Sequence, residues 1–254
     1  MNKKIIRLFF LLTITLTTNT LLVPTAPKIS LHHLAMNGHS ELMPEILPHD
    51  LSVDSKDELG FTALHLAADF GTTACLIKLL NYGAHVNCRD KDNATPLHYA
   101  AKNGHIACLK ILIQHGASLN PTMSNTGSTP LHIAACYGQT ASIITLLQYG
   151  APIDSMDIDL ATPLHQAAVQ GNLSCLEILI QNNASLDATT KNNLTPLHVA
   201  TLGGHLECIM LLIQSGASPL LLTKNGETAL AIAQRKGFKK IERFLCTKHK
   251  YNSV

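Results

Sequence analysis

The tetrapeptide Thr95-Pro96-Leu97-His98 decides the fold of this chain of 254 residues, because it recurs at a fixed spacing. Related tetrapeptides begin at four other residues and a degraded copy at a fifth: Thr62, Thr129, Thr162, Thr195 and, degraded, Thr228. The successive spacings are 33, 34, 33, 33 and 33 residues. A period of this length is typical of solenoids, in which each repeat stacks on its neighbours because it cannot bury its apolar face alone.

The residues of one copy predict two short helices. Thr95 suits an N-cap whose hydroxyl accepts a hydrogen bond from a free backbone N–H, and Pro96 suits the first helical position. The pair Asn103-Gly104 ends this first helix. The pattern predicts a second helix over 106–114 with four residues on its buried side: Cys108, Leu109, Leu112 and Ile113.

A second marker follows each tetrapeptide at the same period. It is a glycine that precedes alanine, at Gly83, Gly116, Gly150 and Gly216, and Asn183 replaces it in the fourth copy. We expect a left-handed helix stop at each, since asparagine is the residue that best tolerates this conformation after glycine.

These motifs resemble the ankyrin repeat family, whose T-P-L-H-x-A signature and 33-residue period they share. The resemblance covers about residues 29–246 and implies an all-α solenoid of helix-turn-helix repeats joined by β-turn or hairpin loops. It implies a degenerate N-terminal cap at about 29–56, five repeats at about 57–221 and a C-terminal cap at about 222–246. A basic tail, 247–254, follows the array.

Residues 1–26 have the layout of a secretory signal peptide. Three basic residues precede the apolar run 8–16, and small polar residues follow, although there is no clean A-x-A cleavage site. The second interpretation is a membrane anchor or tether through residues 8–23, which is shorter than the ~20 residues that a spanning helix needs. We expect export to a secreted or periplasm-like compartment, and the alternatives are a membrane-anchored and a cytoplasmic chain.

Composition and charge exclude several classes of protein. With 46% hydrophobic and 14% charged residues the chain is not intrinsically disordered, and its net charge of +2 is too small to suggest a nucleic-acid partner. The charge is uneven, at −7 over residues 27–232 and +6 over 233–254. We interpret the basic residues of the last helix pair as the polar outer face that a terminal repeat needs in water. The alternative interpretation is a basic patch that binds phosphate or anionic lipid.

The periodic histidines and cysteines resemble metal or catalytic residues, but we expect them to be structural. The resemblance implies that the motif histidines hydrogen-bond across the turn region: His65, His98, His132, His165 and His198. Free cysteines fill one small apolar position of the second helix, where the third copy has Ser142: Cys75, Cys108, Cys175 and Cys208. A solenoid places such residues in a row, so we expect no metal and no cofactor.

The resemblance implies a non-catalytic module that binds another protein, and we expect it to be a monomer. An accessory subunit of an enzyme or a membrane-tethered scaffold is the alternative. In this family partners contact the turn tips and the exposed ends of the first helices. At these positions we predict a binding strip of large apolar side chains: Phe70, Tyr137, Met156, Ile158, Leu160, Val169, Leu194 and Leu202. The alternative is that the loops fold over and these side chains pack on one another.

Overall fold

The computed structural model describes residues 30–46 and 52–251. Over these ranges the chain is all helical and has no β-strand. Each first helix contacts the first helices before and after it, and most second helices contact one another in the same way. The expected solenoid is therefore confirmed.

The helices alternate between the two rows. The first helices are α1 (Leu31–Asn37), α3 (Ala63–Asp69), α5 (Pro96–Asn103), α7 (Pro130–Cys136), α9 (Pro163–Gln170), α11 (Pro196–Gly203) and α13 (Ala229–Lys236). The second helices are α2 (Met43–Ile46), α4 (Thr73–Asn81), α6 (Ile106–Gln114), α8 (Thr140–Gln148), α10 (Leu173–Gln181), α12 (Leu206–Gln214) and α14 (Lys239–Tyr251). A 3₁₀ turn, Ser40–Leu42, precedes α2.

The helix stops lie where the sequence predicts them. Gly104 ends α5 with φ of 72°, and Gly116 follows α6 with φ of 87°. Asn183, which replaces glycine after α10, has φ of 63°. All three are left-handed, so the Gly-Ala marker reports a backbone requirement.

Leucine and alanine form the core. In copy two, Leu97, Ala100, Ala101, Leu109 and Leu112 are fully buried, and the small alanines allow the first helices to approach closely. The expectation that Ile113 is equally buried is wrong, because it is only half-buried. It follows Leu112 directly, so it lies about 100° further around the helix and away from the stack.

Ser142 interrupts the row of buried cysteines with an unpaired hydroxyl. Its Oγ is buried and has no hydrogen-bond partner among the described residues. In two other copies a threonine of the preceding repeat contacts the cysteine, with 3.5 Å between Thr140 Oγ1 and Cys175 Sγ. In the repeat that precedes Ser142, Ile106 occupies the position of this threonine, and its side chain has no polar group that could pair with the Ser142 hydroxyl.

We expect Ser142→Ala to raise the free energy of unfolding by about 1 kcal/mol, because it removes a buried polar group that makes no hydrogen bond. Urea denaturation followed by circular dichroism measures the change. Ser142→Cys, which restores the residue of the other copies, should also stabilise the chain. A loss of stability in both variants would mean that the hydroxyl has a partner.

A candidate protein-binding surface

A turn tip precedes each motif threonine and projects from one edge of the stack. The tips are numbered one to six in chain order, from the tip before Thr62 to the tip before Thr228. Tip two runs from Asp90 to Ala94 and is closed by a hydrogen bond from the Asp90 amide to the Ala94 carbonyl, 3.1 Å. The Asp90 carboxylate also accepts the amides of Asp92 and Ala94 at 2.8 and 2.9 Å. Tips one and four use Asp57 and Asp157 in the same way. Each of these carboxylates accepts two backbone amides of its own tip, which fixes the shape of the tip.

Adjacent tips are joined by backbone hydrogen bonds. The Ile158 amide donates to the backbone carbonyl of Thr126 in tip three at 3.0 Å. The Lys191 amide donates to the backbone carbonyl of Asp159 in tip four at 2.9 Å. Tip three, closed between Met123 and Ser128, is one residue longer than the others. This extra residue accounts for the single 34-residue spacing, and the tips form one continuous edge.

The motif histidines hold the tips against the first helices. His98 Nδ1 accepts the Thr95 amide at 3.0 Å, so the proton lies on Nε2, which donates to the Ser128 carbonyl at 3.2 Å. The other four copies repeat this pair of contacts. The expected bridging role is confirmed.

The histidine ring, rather than a backbone amide, is the closer partner of the motif threonine. Thr95 Oγ1 lies 3.0 Å from His98 Nδ1. At Thr129 and Thr195 the hydroxyl also accepts the amide of the motif histidine, at longer distances of 3.5 and 3.4 Å. The expected N-cap contact is thus present at Thr129 and Thr195. The additional contact with the ring was not predicted, because capping preferences describe a helix in isolation.

Burial lowers the pKa of all five motif histidines, to about 4 for His98. The ring is desolvated, which disfavours its charged form more than the Ser128 carbonyl and the nearby Asp90 carboxylate favour it. These rings are therefore neutral hydrogen-bonding bridges at neutral pH.

The cysteines lie in the packed interior. Burial raises the pKa of Cys75, Cys108 and Cys175, and that of Cys208 to about 11, which makes them weak nucleophiles. His105, three residues before Cys108, contacts the Asp69 carbonyl through Nε2 at 2.9 Å. Within the described ranges no three His, Cys, Asp or Glu side chains are grouped to hold a metal ion.

Six of the eight residues predicted for the strip are exposed, between 41% and 55%: Phe70, Tyr137, Met156, Ile158, Leu160 and Val169. Met156 and Ile158 line a shallow pocket of about 410 Å³ with Arg89 of tip two and Met123 of tip three. The loops thus leave most of these side chains uncovered, contrary to the alternative in which they pack together.

Leu194 and Leu202 differ from the other six, because they are half-buried. Both line a second pocket, of about 320 Å³, together with Ile232 of α13. The sequence interpretation treated them as projecting side chains, and it missed this pocket because the cap helix that forms one wall has a degraded motif. We therefore define the apolar strip as the six exposed residues.

Leu160 has an unusual backbone conformation for a leucine, with φ of 62°. The equivalent position of every other tip is also left-handed, and glycine or asparagine occupies it: Gly60, Asn93, Gly127, Asn193 and Gly226. A left-handed backbone costs a bulky residue roughly 1–2 kcal/mol. The backbone of the fourth tip is therefore strained at Leu160, and the side chain of this residue is 41% exposed.

Tyr137 stands at the end of α7, just before the left-handed Gly138. Its ring is covered on one face by Lys102 of the preceding repeat, whose Nζ lies 5.3 Å from the ring centroid. Such a cation–π contact orders the ring while its edge and hydroxyl remain accessible. Phe70 has the same position in copy one, at the end of α3.

The predicted leader, 1–26, and the possible tether, 8–23, lie outside the described residues. Among the helices that are described, none combines the length and the apolar composition that crossing a membrane requires.

Comparisons with known proteins agree with this architecture. A family model for ankyrin repeats (3 copies) matches residues 74–157 and 164–254, and two models for ankyrin repeats (many copies) match 46–100 and 137–180. The crystal structure of the human ASB11 ankyrin repeat domain is similar, with a TM-score of 0.78 and 30% sequence identity. The match covers 87% of this chain and 97% of that one. No curated protein matches the chain significantly in sequence.

Proposed function

Because this chain belongs to the ankyrin repeat family and is thus a protein–protein interaction module, we propose that it binds its partner through the apolar strip. Proteins of this family are generally non-catalytic interaction modules. We propose that this chain, too, is non-catalytic and acts as a monomer that recognises another protein.

Leu160 is the observation that carries this proposal. Its left-handed backbone destabilises the folded chain, and its exposed side chain gains little from burial in return. Strain of this kind is found mostly at functional sites, where the surrounding structure maintains it. Large exposed apolar patches on soluble proteins usually mark interaction sites, and the exposed Ile158 belongs to the same turn tip as Leu160.

Replacing Leu160 with asparagine tests the proposal, because asparagine occupies the same left-handed position in tips two and five. We expect the free energy of unfolding to be unchanged or to rise by up to about 1 kcal/mol. We expect partner binding, measured by affinity capture from the native host, to weaken at least tenfold.

Asn183→Leu is the control, since it places leucine in a left-handed conformation, φ 63°, at the exposed helix stop after α10 and outside the strip. It should lower stability by about 1 kcal/mol and leave binding unchanged. If Leu160→Asn destabilises the fold by more than 1 kcal/mol, Leu160 is a structural residue. If the variant binds at full strength, the partner does not contact the fourth tip.

We further propose that residues 1–26 direct the chain out of the cytoplasm, supported by the basic start and the apolar run at 8–16. A reporter fused after Ser30 should then be exported, and N-terminal sequencing of the mature protein distinguishes cleavage from a tether through 8–23. Retention of the reporter in the cytoplasm would contradict export.

A further inference from the structure

The second pocket lies where the fifth repeat meets the C-terminal cap. Leu194 of tip five and Leu202 of α11 line it with half-buried apolar side chains, and the lining includes Ile232 of α13, which is 1% exposed. Its volume of about 320 Å³ is at the low end of the ~300–1,000 Å³ of ligand sites. It suits one large side chain of a partner better than a whole cofactor.

A hydrogen bond that joins two other first helices to their tips is missing beside this pocket. The residue at the position of Ile232 in copy two is Tyr99, whose hydroxyl donates to Asp90 of the adjoining tip at 2.6 Å. In copy four it is Gln166, which donates to Asp157 at 3.3 Å. Ile232 has no polar group, and Thr223 replaces the aspartate of the tip. The cap therefore lacks the bridge of copies two and four, and its helix contacts tip six through Arg235 and Glu227 instead.

The charged residues that line this pocket are Lys224, Arg235 and Glu227, which give it a net positive charge. Arg235 forms a two-point ion pair with Glu227, with 2.6 Å from Nε to Oε1 and 3.1 Å from Nη2 to Oε2. This pair neutralises Glu227 and leaves Nη1 of Arg235 without a partner among the described residues. The Lys224 ammonium has no hydrogen bond or ion pair to any described residue, and it is exposed on tip six.

The C-terminal helix pair is also basic. Residues 233–247 contain five lysine and arginine side chains against the single acid Glu242. Of these, Lys239 is paired with Glu242 at 3.1 Å. Residues 61–232 have an excess of three acids, so the cap is the positive end of an otherwise acidic array.

We infer that this pocket holds a bulky apolar side chain from an acidic segment of the partner protein. The side chain packs against Leu194 and Leu202, and neighbouring carboxylates bind Lys224 and the free Nη1 of Arg235. The inference rests on the proposed function, because the pocket adds a charged anchor point to a protein-binding edge. A phosphate or a lipid headgroup would match the charge, but it would leave the apolar floor uncovered.

A random dodecapeptide display library, panned against the full chain, tests the inference. We expect the enriched sequences to combine a large apolar residue with adjacent Asp or Glu. A fluorescent peptide of the most enriched sequence should bind more weakly in higher salt, as measured by anisotropy. Its variant with alanine at the apolar position should bind at least tenfold more weakly.

Three variants of the chain locate the peptide. Lys224→Glu should weaken binding at least tenfold, and Lys110→Glu, an exposed cation on α6, should have no effect. The double variant Ile232→Tyr with Thr223→Asp recreates the Tyr99–Asp90 arrangement, so it should close the pocket and abolish binding. Its melting curve and circular dichroism spectrum establish that the variant is folded.

Several results would overturn the inference: no enriched peptide, enrichment of basic or uncharged sequences, or unchanged binding when the pocket is closed. Equal binding of the alanine peptide would show a purely electrostatic surface, and competition by inorganic phosphate or phosphatidylserine vesicles would assign the charge to those ligands. Each of these leaves the proposed function intact, provided that Leu160→Asn still weakens partner binding. If Leu160→Asn has no effect but peptides bind the pocket, the strip is wrong and the pocket stands.

Discussion

Leu146→Ala is expected to lower the free energy of unfolding by about 2–5 kcal/mol. Leu146 is fully buried on α8 at the centre of the stack, where α6 and α10 both pack against its helix. A neighbour on each side limits how far the structure collapses into the cavity, so the variant loses both transfer free energy and contacts. Urea denaturation measures the difference.

Ile144→Ala is the matched control, because it removes a large aliphatic side chain from the same helix at a position that is 37% exposed. It should cost well under half as much as Leu146→Ala. Equal losses in the two variants would contradict the assignment of a core side and a solvent side to α8.

Acid is expected to destabilise the chain steeply below pH 6.5, because the motif histidines are buried in their neutral form. For His98 the folded pKa of about 4 lies below the unfolded value of 6.5. Between these values the unfolded chain binds more protons, so stability is fully present above pH 6.5 and falls as the pH drops through 4. His98 alone contributes a loss of about 3 kcal/mol by pH 4.

Urea denaturation at a series of pH values between 7.5 and 4 measures this dependence. His98→Gln should be less stable at pH 7.5, since it loses the ring bridge, but its stability should depend less on pH by about one proton. His115→Gln, which replaces an exposed histidine at the end of α6, is the control for the substitution itself and should keep the stability of the unmodified chain at pH 7.5. A profile that is flat between pH 6.5 and 4 would contradict neutral burial of the five rings.

The fold was predictable from the sequence because its requirements repeat. Proline at the first helical position and a left-handed residue at the helix stop are local requirements, and the same residue types recur at these positions from copy to copy. Asn183 illustrates this, since its left-handed backbone follows from its register alone. For this backbone conformation, the position of a residue in the repeat was a better predictor than its identity as glycine.

The sequence did not predict the features that depend on neighbouring repeats. Leucine gives no local signal for a left-handed turn, so the conformation of Leu160 follows only from the geometry of its tip. The half-burial of Leu194 and Leu202 depends on Ile232 and Arg235, which lie 30 or more residues further along the chain. Whether a residue at a helix end is exposed depends on the side chains of the next repeat. For Leu202 the next repeat is the cap, whose degraded motif gave no indication of the side chains that cover it.

Affinity capture with a strip variant and a surface-matched control tests the central claim most directly. The strip variant combines Tyr137→Ala, Ile158→Ser and Val169→Ser. The control combines Tyr82→Ala, Ile77→Ser and Leu173→Ser, which are similarly exposed on or beside the second helices. We expect both to melt as the unmodified chain does, and the strip variant alone to lose the captured partner by more than tenfold. Full capture by the folded strip variant, or equal loss in the control, would contradict binding through the strip.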